Sequence, residues 1–165
     1  MRPSWSPDGT RIAFYAFNDS SYDLHWMPVD KSQPPVRVVE GDDTRNASTT
    51  NWTRDGAWIV FDGVATGDAR DTEDIFAVGT GSDRKRVTIL STPANEQAAV
   101  VSPNGRWLAY TSDEGGGQRV YVRPFMREGG RALISTGASA PPLWASDAEV
   151  VYLDRESSLK TLILY

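Results

Sequence analysis

The sequence predicts an all-β fold, and three observations lead to that prediction. Fourteen glycines, ten prolines and six tryptophans in 165 residues combine many turn formers with large core aromatics. No stretch shows the apolar period of about 3.6 residues that marks an amphipathic helix. The third observation is an internal repeat, and a repeat of this kind decides the architecture before any single strand is assigned.

One motif recurs four times, and its spacing defines the repeating unit. The copies are Trp5-Ser6-Pro7-Asp8-Gly9, Trp52-Thr53-Arg54-Asp55-Gly56, Val101-Ser102-Pro103-Asn104-Gly105 and Trp144-Ala145-Ser146-Asp147. Their first residues are 47, 49 and 43 positions apart. A period in the forties with about four strands in each unit predicts a β-propeller, in which each unit forms one blade.

Three apolar runs follow the motif and supply the remaining predicted strands of each blade. The first runs are 12–15, 58–61, 107–110 and 150–153; the second runs are 24–29, 75–78, 120–125 and 159–164; the third runs are 36–39, 87–90 and 132–134. The first run is apolar at nearly every position. We therefore expect it to be buried on both faces, between neighbouring blades.

The motif itself predicts a tight turn. Proline presets φ for the second turn position, Asp can bond the local backbone, and Gly adopts the left-handed conformation that follows. The motif weakens along the chain, because Arg54 replaces the proline and Asn104 replaces the aspartate. Ala148 stands at the glycine position of the fourth copy, so we expect a reshaped turn there.

The chain is predicted to be one propeller domain over residues 1–165, with units at about 2–43, 44–93, 94–138 and 139–165. The fourth unit has three predicted strands, and no spare strand precedes residue 2, so an incomplete last blade and an open arc are expected. An open arc exposes strand edges and apolar blade faces, which favour association. Three arrangements stay open: two arcs paired as a homodimeric ring of eight blades, a closed four-bladed ring, or a piece of a longer protein. Of the first two, the pair of arcs is favoured.

These motifs resemble the TolB-type propeller repeat, whose units read roughly Pro-x-Trp-Ser-Pro-Asp-Gly followed by an apolar strand. The chain is most similar to the C-terminal propeller of bacterial serine/threonine protein kinases. That likeness is carried by 102–114, by 120–125, by 129–131 and by 134–137. The resemblance implies a bacterial, WD-like propeller, usually of more than four blades. It also implies two roles as part of a larger enzyme: accessory domain of a prolyl-oligopeptidase-type hydrolase, or sensor domain of a receptor kinase. The sequence contains neither the kinase motifs nor a Gly-x-Ser-x-Gly elbow.

Composition excludes several classes of function. A net charge of −5 argues against a nucleic-acid-binding face. The lack of cysteine excludes disulfides, thiol nucleophiles and thiolate metal sites, and one histidine, His25, excludes sites that need two. His25 is interpreted as an ordinary strand residue. No membrane-length apolar stretch or signal core is visible, so we expect a cytoplasmic chain as written, or a periplasmic one if it belongs to an exported protein.

Three other features have structural interpretations. The recurring Asp8, Asp55, Asn104 and Asp147 are assigned to turn chemistry rather than to a calcium site. The glycines at 115–117 are assigned to a hairpin loop rather than to a phosphate cradle. The six tryptophans are assigned to packing between blades, because residues at equivalent repeat positions serve a structural need.

The loops between blades carry the candidate binding residues. Such loops ring one mouth of a propeller channel, where variable side chains sit on a rigid scaffold. The candidates are Asp42, Asp43, Arg45, Asn46, Asn95, Glu96 and Gln97. The sequence therefore predicts a non-enzymatic binding or scaffolding module for a protein or peptide partner, with neither metal nor cofactor. The alternative is an accessory or sensor segment of a larger enzyme.

Overall fold

Four antiparallel sheets follow one another along the chain, one for each copy of the repeat. A computed structural model describes residues 3–18, 21–38, 44–45, 50–65, 69–138 and 140–164. Blade 1 contains β1 (Ser4–Trp5), β2 (Arg11–Asn18), β3 (Ser21–Pro28) and β4 (Val36–Arg37). Blade 2 contains β5 (Thr44–Arg45), β6 (Thr50–Trp52), β7 (Trp58–Ala65), β8 (Asp74–Gly79) and β9 (Arg86–Leu90).

The second half of the chain repeats this order. Blade 3 contains β10 (Glu96–Val101), β11 (Trp107–Ser112), β12 (Arg119–Pro124) and β13 (Ala132–Leu133). Blade 4 contains β14 (Leu143–Trp144), β15 (Glu149–Leu153) and β16 (Leu159–Ile163). Strands pair in sequence order within each sheet, except that both β5 and β6 pair with β7. The predicted all-β propeller with an incomplete last blade is confirmed. Within the described residues no helix is long and apolar enough to cross a membrane.

The repeat motif forms the same turn in the first three blades. In blade 1 the Ser6 hydroxyl donates to Asp8 Oδ1 at 2.6 Å, and the Thr10 backbone N–H donates to the same oxygen at 3.0 Å. Thr53 with Asp55, and Ser102 with Asn104, repeat this pattern. Gly9, Gly56 and Gly105 have φ of 69°, 72° and 71°, which confirms the predicted left-handed position. The turn is thus fixed by side chains that are local in sequence.

The fourth turn is reshaped, as expected from its alanine. Ala148 is absent from the positive-φ residues, and the Ser146 hydroxyl instead accepts the backbone N–H of Glu149 at 3.1 Å. Trp144 pairs with Val150, so one residue fewer separates these strands than in the other blades, where Trp5 pairs with Ile12. The blade keeps its hairpin while avoiding a left-handed alanine.

Apolar side chains fill the space between neighbouring blades. Between blades 1 and 2 the buried cluster is Ala13, Tyr15, Leu24, Val38, Ile59, Phe61, Phe76 and Val78. Between blades 2 and 3 it is Val60, Ile75, Ala77, Ala99, Leu108, Tyr110, Tyr121 and Phe125. Between blades 3 and 4 it is Ala109, Val122 and Val150, with Trp144 and Leu162 packed against them. No cluster of the described residues joins blade 4 to blade 1.

Burial on both faces holds for the two inner blades only. The six positions from Ile59 to Val64 in β7 are all buried, as are the five from Leu108 to Ser112 in β11. In β15 only Val150 is buried. The expectation that every first run is buried on both faces is therefore wrong for the terminal blades, because each packs against one blade of the described residues instead of two.

Candidate partner-binding site

Topology separates two ends of the blades. We call the end at which the chain passes from one blade to the next the mouth end, and the end with the repeat turns the turn end. The predicted residues Asn95, Glu96 and Gln97 lie at the mouth end, where β10 begins. Arg45 belongs to β5, which pairs with the last residues of β7 at the same end. Asp42, Asp43 and Asn46 lie outside the described residues.

Asn95 ties three loops together. Its backbone N–H and its side-chain amide donate to the two carboxylate oxygens of Asp113, each at 2.9 Å. Its side-chain oxygen accepts the backbone N–H of Glu73 at 3.2 Å. These hydrogen bonds hold the pKa of Asp113 below its usual value, since they favour the ionised carboxylate. Asn95 therefore joins the loops that precede β8 and β10 to the loop that follows β11.

Glu96 lies beneath this loop rather than on its surface. Its side chain is fully buried, and its carboxylate accepts hydrogen bonds from the hydroxyl and the backbone N–H of Thr92. Its own backbone N–H donates to the Glu73 carbonyl at 2.8 Å. Burial raises the pKa of Glu96, and the nearby negative charge of Asp74 adds to the rise. In this arrangement Glu96 shapes the loop and offers no atom to a partner.

Gln97 reaches a carboxylate that sequence reasoning missed. Its side-chain amide donates to Glu73, and the Thr111 hydroxyl donates to its backbone carbonyl at 3.1 Å. Burial raises the pKa of Glu73, and the negative charge of the nearby Asp62 carboxylate raises it further. Glu73 and Gln97 are both half-buried, so part of each side chain faces solvent.

Two further carboxylates lie at the mouth end of blade 2. Asp62 is fully buried near the end of β7, and Asp74 is 1% exposed at the start of β8. Arg70 forms an ion pair with Asp74 at 3.7 Å. Asp62, Asp74 and Glu73 together make this end acidic. An acidic end favours groups that donate hydrogen bonds or carry positive charge. No set of three or more metal-binding side chains is found among the residues described. The sequence contained one indication of these carboxylates, because Asp62 interrupts an otherwise apolar strand.

The turn end carries shallow grooves between adjacent repeat turns. A groove of about 420 Å³ lies between the turns of blades 1 and 2, lined by Pro7, Asp8 and Arg54 among others. A second groove, of about 250 Å³, lies between blades 2 and 3 and is lined in part by Arg54 and Arg127. Arg54, which replaces the motif proline, contributes to both. The grooves follow from the spacing of the turns.

The structural interpretations of the other motifs can be compared with the fold. His25 lies in β3, half-buried and stacked on Phe14 with ring centroids 6.1 Å apart, as suits a strand residue. The glycines at 115–117 lie in the connection between β11 and β12, where the Gly115 carbonyl accepts a hydrogen bond from the Arg119 guanidinium. This placement confirms the predicted hairpin loop. Trp52 and Trp144 pack against the inter-blade clusters. The expectation of a packed tryptophan is wrong for Trp5, which is 57% exposed because no other described blade packs against its side of blade 1.

Comparisons with known proteins place this geometry among propellers. No protein-family model matches the chain. The Tol-Pal system protein TolB of Bordetella pertussis is 29% identical over 122 residues, which cover 73% of this chain and 26% of that protein. The chain thus spans about a quarter of the length of the curated relatives it matches.

Solved structures give the same picture. The crystal structure of TolB from Acinetobacter baumannii matches with a TM-score of 0.75 at 20% identity, covering 98% of this chain and 40% of that one. A puromycin-hydrolyzing peptidase of Mycobacterium tuberculosis matches with a TM-score of 0.72 at 14% identity, covering 96% of this chain and 27% of the peptidase. The chain therefore has a TolB-like β-propeller fold.

Proposed function

We propose that this chain is a non-enzymatic binding and scaffolding module that holds a protein or peptide partner at the mouth end. The observation that carries the proposal is the hydrogen bonding of Glu73, from the loop before β8, to Asn95 and Gln97, from the start of β10. Loops held in this way present a fixed pattern of acceptors, which lowers the ordering cost of binding. The relatives named as Tol-Pal system proteins support a protein partner.

The partner contacts come from two loops. Asn95 and Gln97 form one side of the site, with Glu96 supporting them from below. Arg45 lies in β5, which pairs with β7 at the same end, and we propose that it and the predicted residues Asp42, Asp43 and Asn46 supply further contacts. The acidic character of this end favours a segment rich in lysine, arginine or a free amine.

The proposal also covers the cellular compartment, the likeness to kinase propellers and the self-association of the chain. The comparisons lend no support to a cytoplasmic location, and their Tol-Pal names favour the periplasmic alternative, as a segment of an exported protein. The likeness to kinase C-terminal propellers remains a prediction. Self-association as a homodimer through the open blades is proposed as a second interaction of the same module.

The second candidate function is an accessory or sensor segment of a larger enzyme. The match to a peptidase, of which this chain covers 27%, favours it. A gene that encodes a hydrolase or kinase domain in the same reading frame would select this candidate. A reading frame without such a domain would favour the binding module.

A peptide-binding titration tests the mouth-end site. Fluorescence anisotropy would compare a lysine-rich peptide with a glutamate-rich peptide of equal length. We expect tighter binding of the lysine-rich peptide, weakened about tenfold by Glu73→Gln, because a charge-assisted hydrogen bond is lost. Glu128→Gln, a change at an exposed residue of the connection between β12 and β13, is the matched control. Equal binding of both peptides, or no effect of Glu73→Gln, would contradict the proposal.

A further inference from the structure

Among the described residues, the two terminal blades each leave one largely apolar face without a neighbouring blade. The face of blade 1 that points away from blade 2 is here called the head face, and it carries Trp5, Ile12, Phe14, His25 and Met27. The face of blade 4 that points away from blade 3 is here called the tail face, and it carries Leu143, Val151, Leu153, Leu159 and Ile163. Register sets these faces, since paired residues on adjacent strands share one side of a sheet.

Side chains on both faces are much more exposed than those at the equivalent positions of the inner blades. Leu159 is 71% exposed, whereas its equivalents Val120 and Ile75 are fully buried. At the head face Ile12 is half-buried, whereas Ile59 and Leu108 at the same repeat position are fully buried. Large apolar side chains stay exposed here because each face lacks the blade that covers it elsewhere. Contiguous exposed apolar surface of this kind marks an interaction site.

One hydrogen bond recurs at the junctions between blades. The Trp52 indole N–H donates to the Ser4 carbonyl of blade 1 at 3.2 Å, and the Trp144 indole donates to the Val100 carbonyl of blade 3 at 3.0 Å. In both cases the acceptor is the residue one position before the tryptophan site of the preceding blade. By the repeat, Trp5 is the donor of the next junction and the Leu143 carbonyl is its acceptor. Trp5 is 57% exposed and Leu143 is 61% exposed.

An aromatic pair marks the side of blades 2 and 3 that receives the preceding blade. Phe61 with Phe76 in blade 2 and Tyr110 with Tyr121 in blade 3 have ring centroids 5.6 Å and 5.7 Å apart. These residues are directly paired across the strands, as Phe14 and His25 are in blade 1. The head face therefore carries the full receiving pattern, with His25 as its one polar substitution.

We propose that the tail face of one chain docks on the head face of a second copy, with the Trp5 indole donating to the Leu143 carbonyl across the interface. The second copy is the favoured occupant because this chain carries both matching halves of a junction: its own blades pack together in this way three times, twice with the indole hydrogen bond. The inference rests on the proposed self-association and names its surface as blade faces rather than strand edges. It does not involve the mouth-end site.

Such a contact is head-to-tail, so it closes into a ring or propagates as a filament. Closure by two copies gives a particle of about 36 kDa, twice the chain mass of 18.1 kDa. Propagation gives larger particles whose mass rises with concentration. Either outcome uses the same junction, and the same substitutions disrupt both.

Light scattering coupled to size-exclusion chromatography over a range of concentrations tests the proposal. We expect a mass of about 36 kDa or more, and a return to 18.1 kDa for Leu159→Asp, which places a charge on the tail face. Leu133→Asp is the matched control, since Leu133 is a 50% exposed leucine on β13, apart from both faces. Thermal unfolding checks that each variant folds.

Two head-face variants are expected to change the strength of association in opposite directions. Trp5→Phe removes the indole donor and is expected to weaken association about tenfold. His25→Phe restores the aromatic pair of the inner blades and is expected to strengthen association, because an aromatic pair replaces a polar ring.

Three results would overturn the proposal. They are a monomer at every concentration, an assembly insensitive to Leu159→Asp, or an assembly disrupted equally by Leu133→Asp. The peptide titration at the mouth end is repeated with Leu159→Asp. Unchanged peptide binding in that variant separates a failure of the junction from a failure of the binding function.

Discussion

The inter-blade clusters predict that the same substitution at one repeat position lowers the free energy of unfolding by different amounts in different blades. Ile59 and Ile12 occupy the same position, but Ile59 is fully buried against blade 1 while Ile12 is half-buried on the head face. Ile→Ala removes three carbons at either site. At about 0.8 kcal/mol for each buried carbon, plus the cavity left behind, Ile59→Ala should cost about 3 kcal/mol. Ile12→Ala should cost less, about 2 kcal/mol, because part of the side chain already faces water and its removal leaves no enclosed cavity.

Urea unfolding followed by tryptophan fluorescence measures both costs. With a slope of about 2 kcal/mol per molar urea, the midpoint should fall by about 1.5 M for Ile59→Ala and by about 1 M for Ile12→Ala. The measurement is made at low protein concentration, so that any assembly is dissociated. Equal shifts for the two variants under these conditions would refute the reasoning, because they would mean that the head face is already covered within one chain.

Three other substitutions test the turns and junctions by thermal or urea unfolding. Trp52→Phe should cost about 1 kcal/mol through loss of its hydrogen bond to the Ser4 carbonyl, and no loss would show that the bond contributes nothing. Gly56→Ala should cost about 1–2 kcal/mol, because φ is 72° while the nearest atom to an added Cβ is 4.0 Å away; a neutral result would contradict backbone strain as the cause. Asp55 has a pKa lowered by hydrogen bonds from Thr53 and Ala57, so its stabilising contribution is present above the unfolded-state pKa and is lost as pH falls through the folded-state pKa. Asp55→Asn should therefore destabilise the protein at neutral pH but not in acid, and a pH-independent difference would contradict this.

The repeat made the sheets predictable, but the ends of the long strands were not. The first two runs of blade 1 were predicted as 12–15 and 24–29, whereas β2 and β3 extend toward each other as far as Asn18 and Ser21. The strand ends at Asn18 and Ser21 are polar and carry no apolar signal, and the register of the hairpin extends the strands to them. β5 was missed for a similar reason. Thr44 and Arg45 form a strand only because the end of β7 offers a partner.

The position of the predicted binding residues in the fold could be predicted from the sequence, but their contacts could not. Asn95, Glu96 and Gln97 were selected because they lie between two copies of the repeat. Glu73 was not found, because it reaches Gln97 from a different loop, 24 positions earlier in the chain. The burial of Glu96 was equally hidden, since it depends on Thr92 and on the loop that folds over it. Contacts between blades link residues that no local pattern connects.

Cross-linking across the free faces tests most directly the central claim that the chain is an open arc whose two faces meet between copies. A Cβ at Gly56 would lie 4.0 Å from the Pro7 ring, so turns of adjacent blades touch. By the repeat, Ser146 takes the place of Pro7 and Gly9 that of Gly56 across the open junction. The chain has no cysteine, so Thr10→Cys with Ser146→Cys gives a clean background for a short bismaleimide linker. The account predicts links between chains, at about 36 kDa or above, twice or more the mass of 18.1 kDa. Links formed within a single chain would show that the four blades close on themselves and would contradict it.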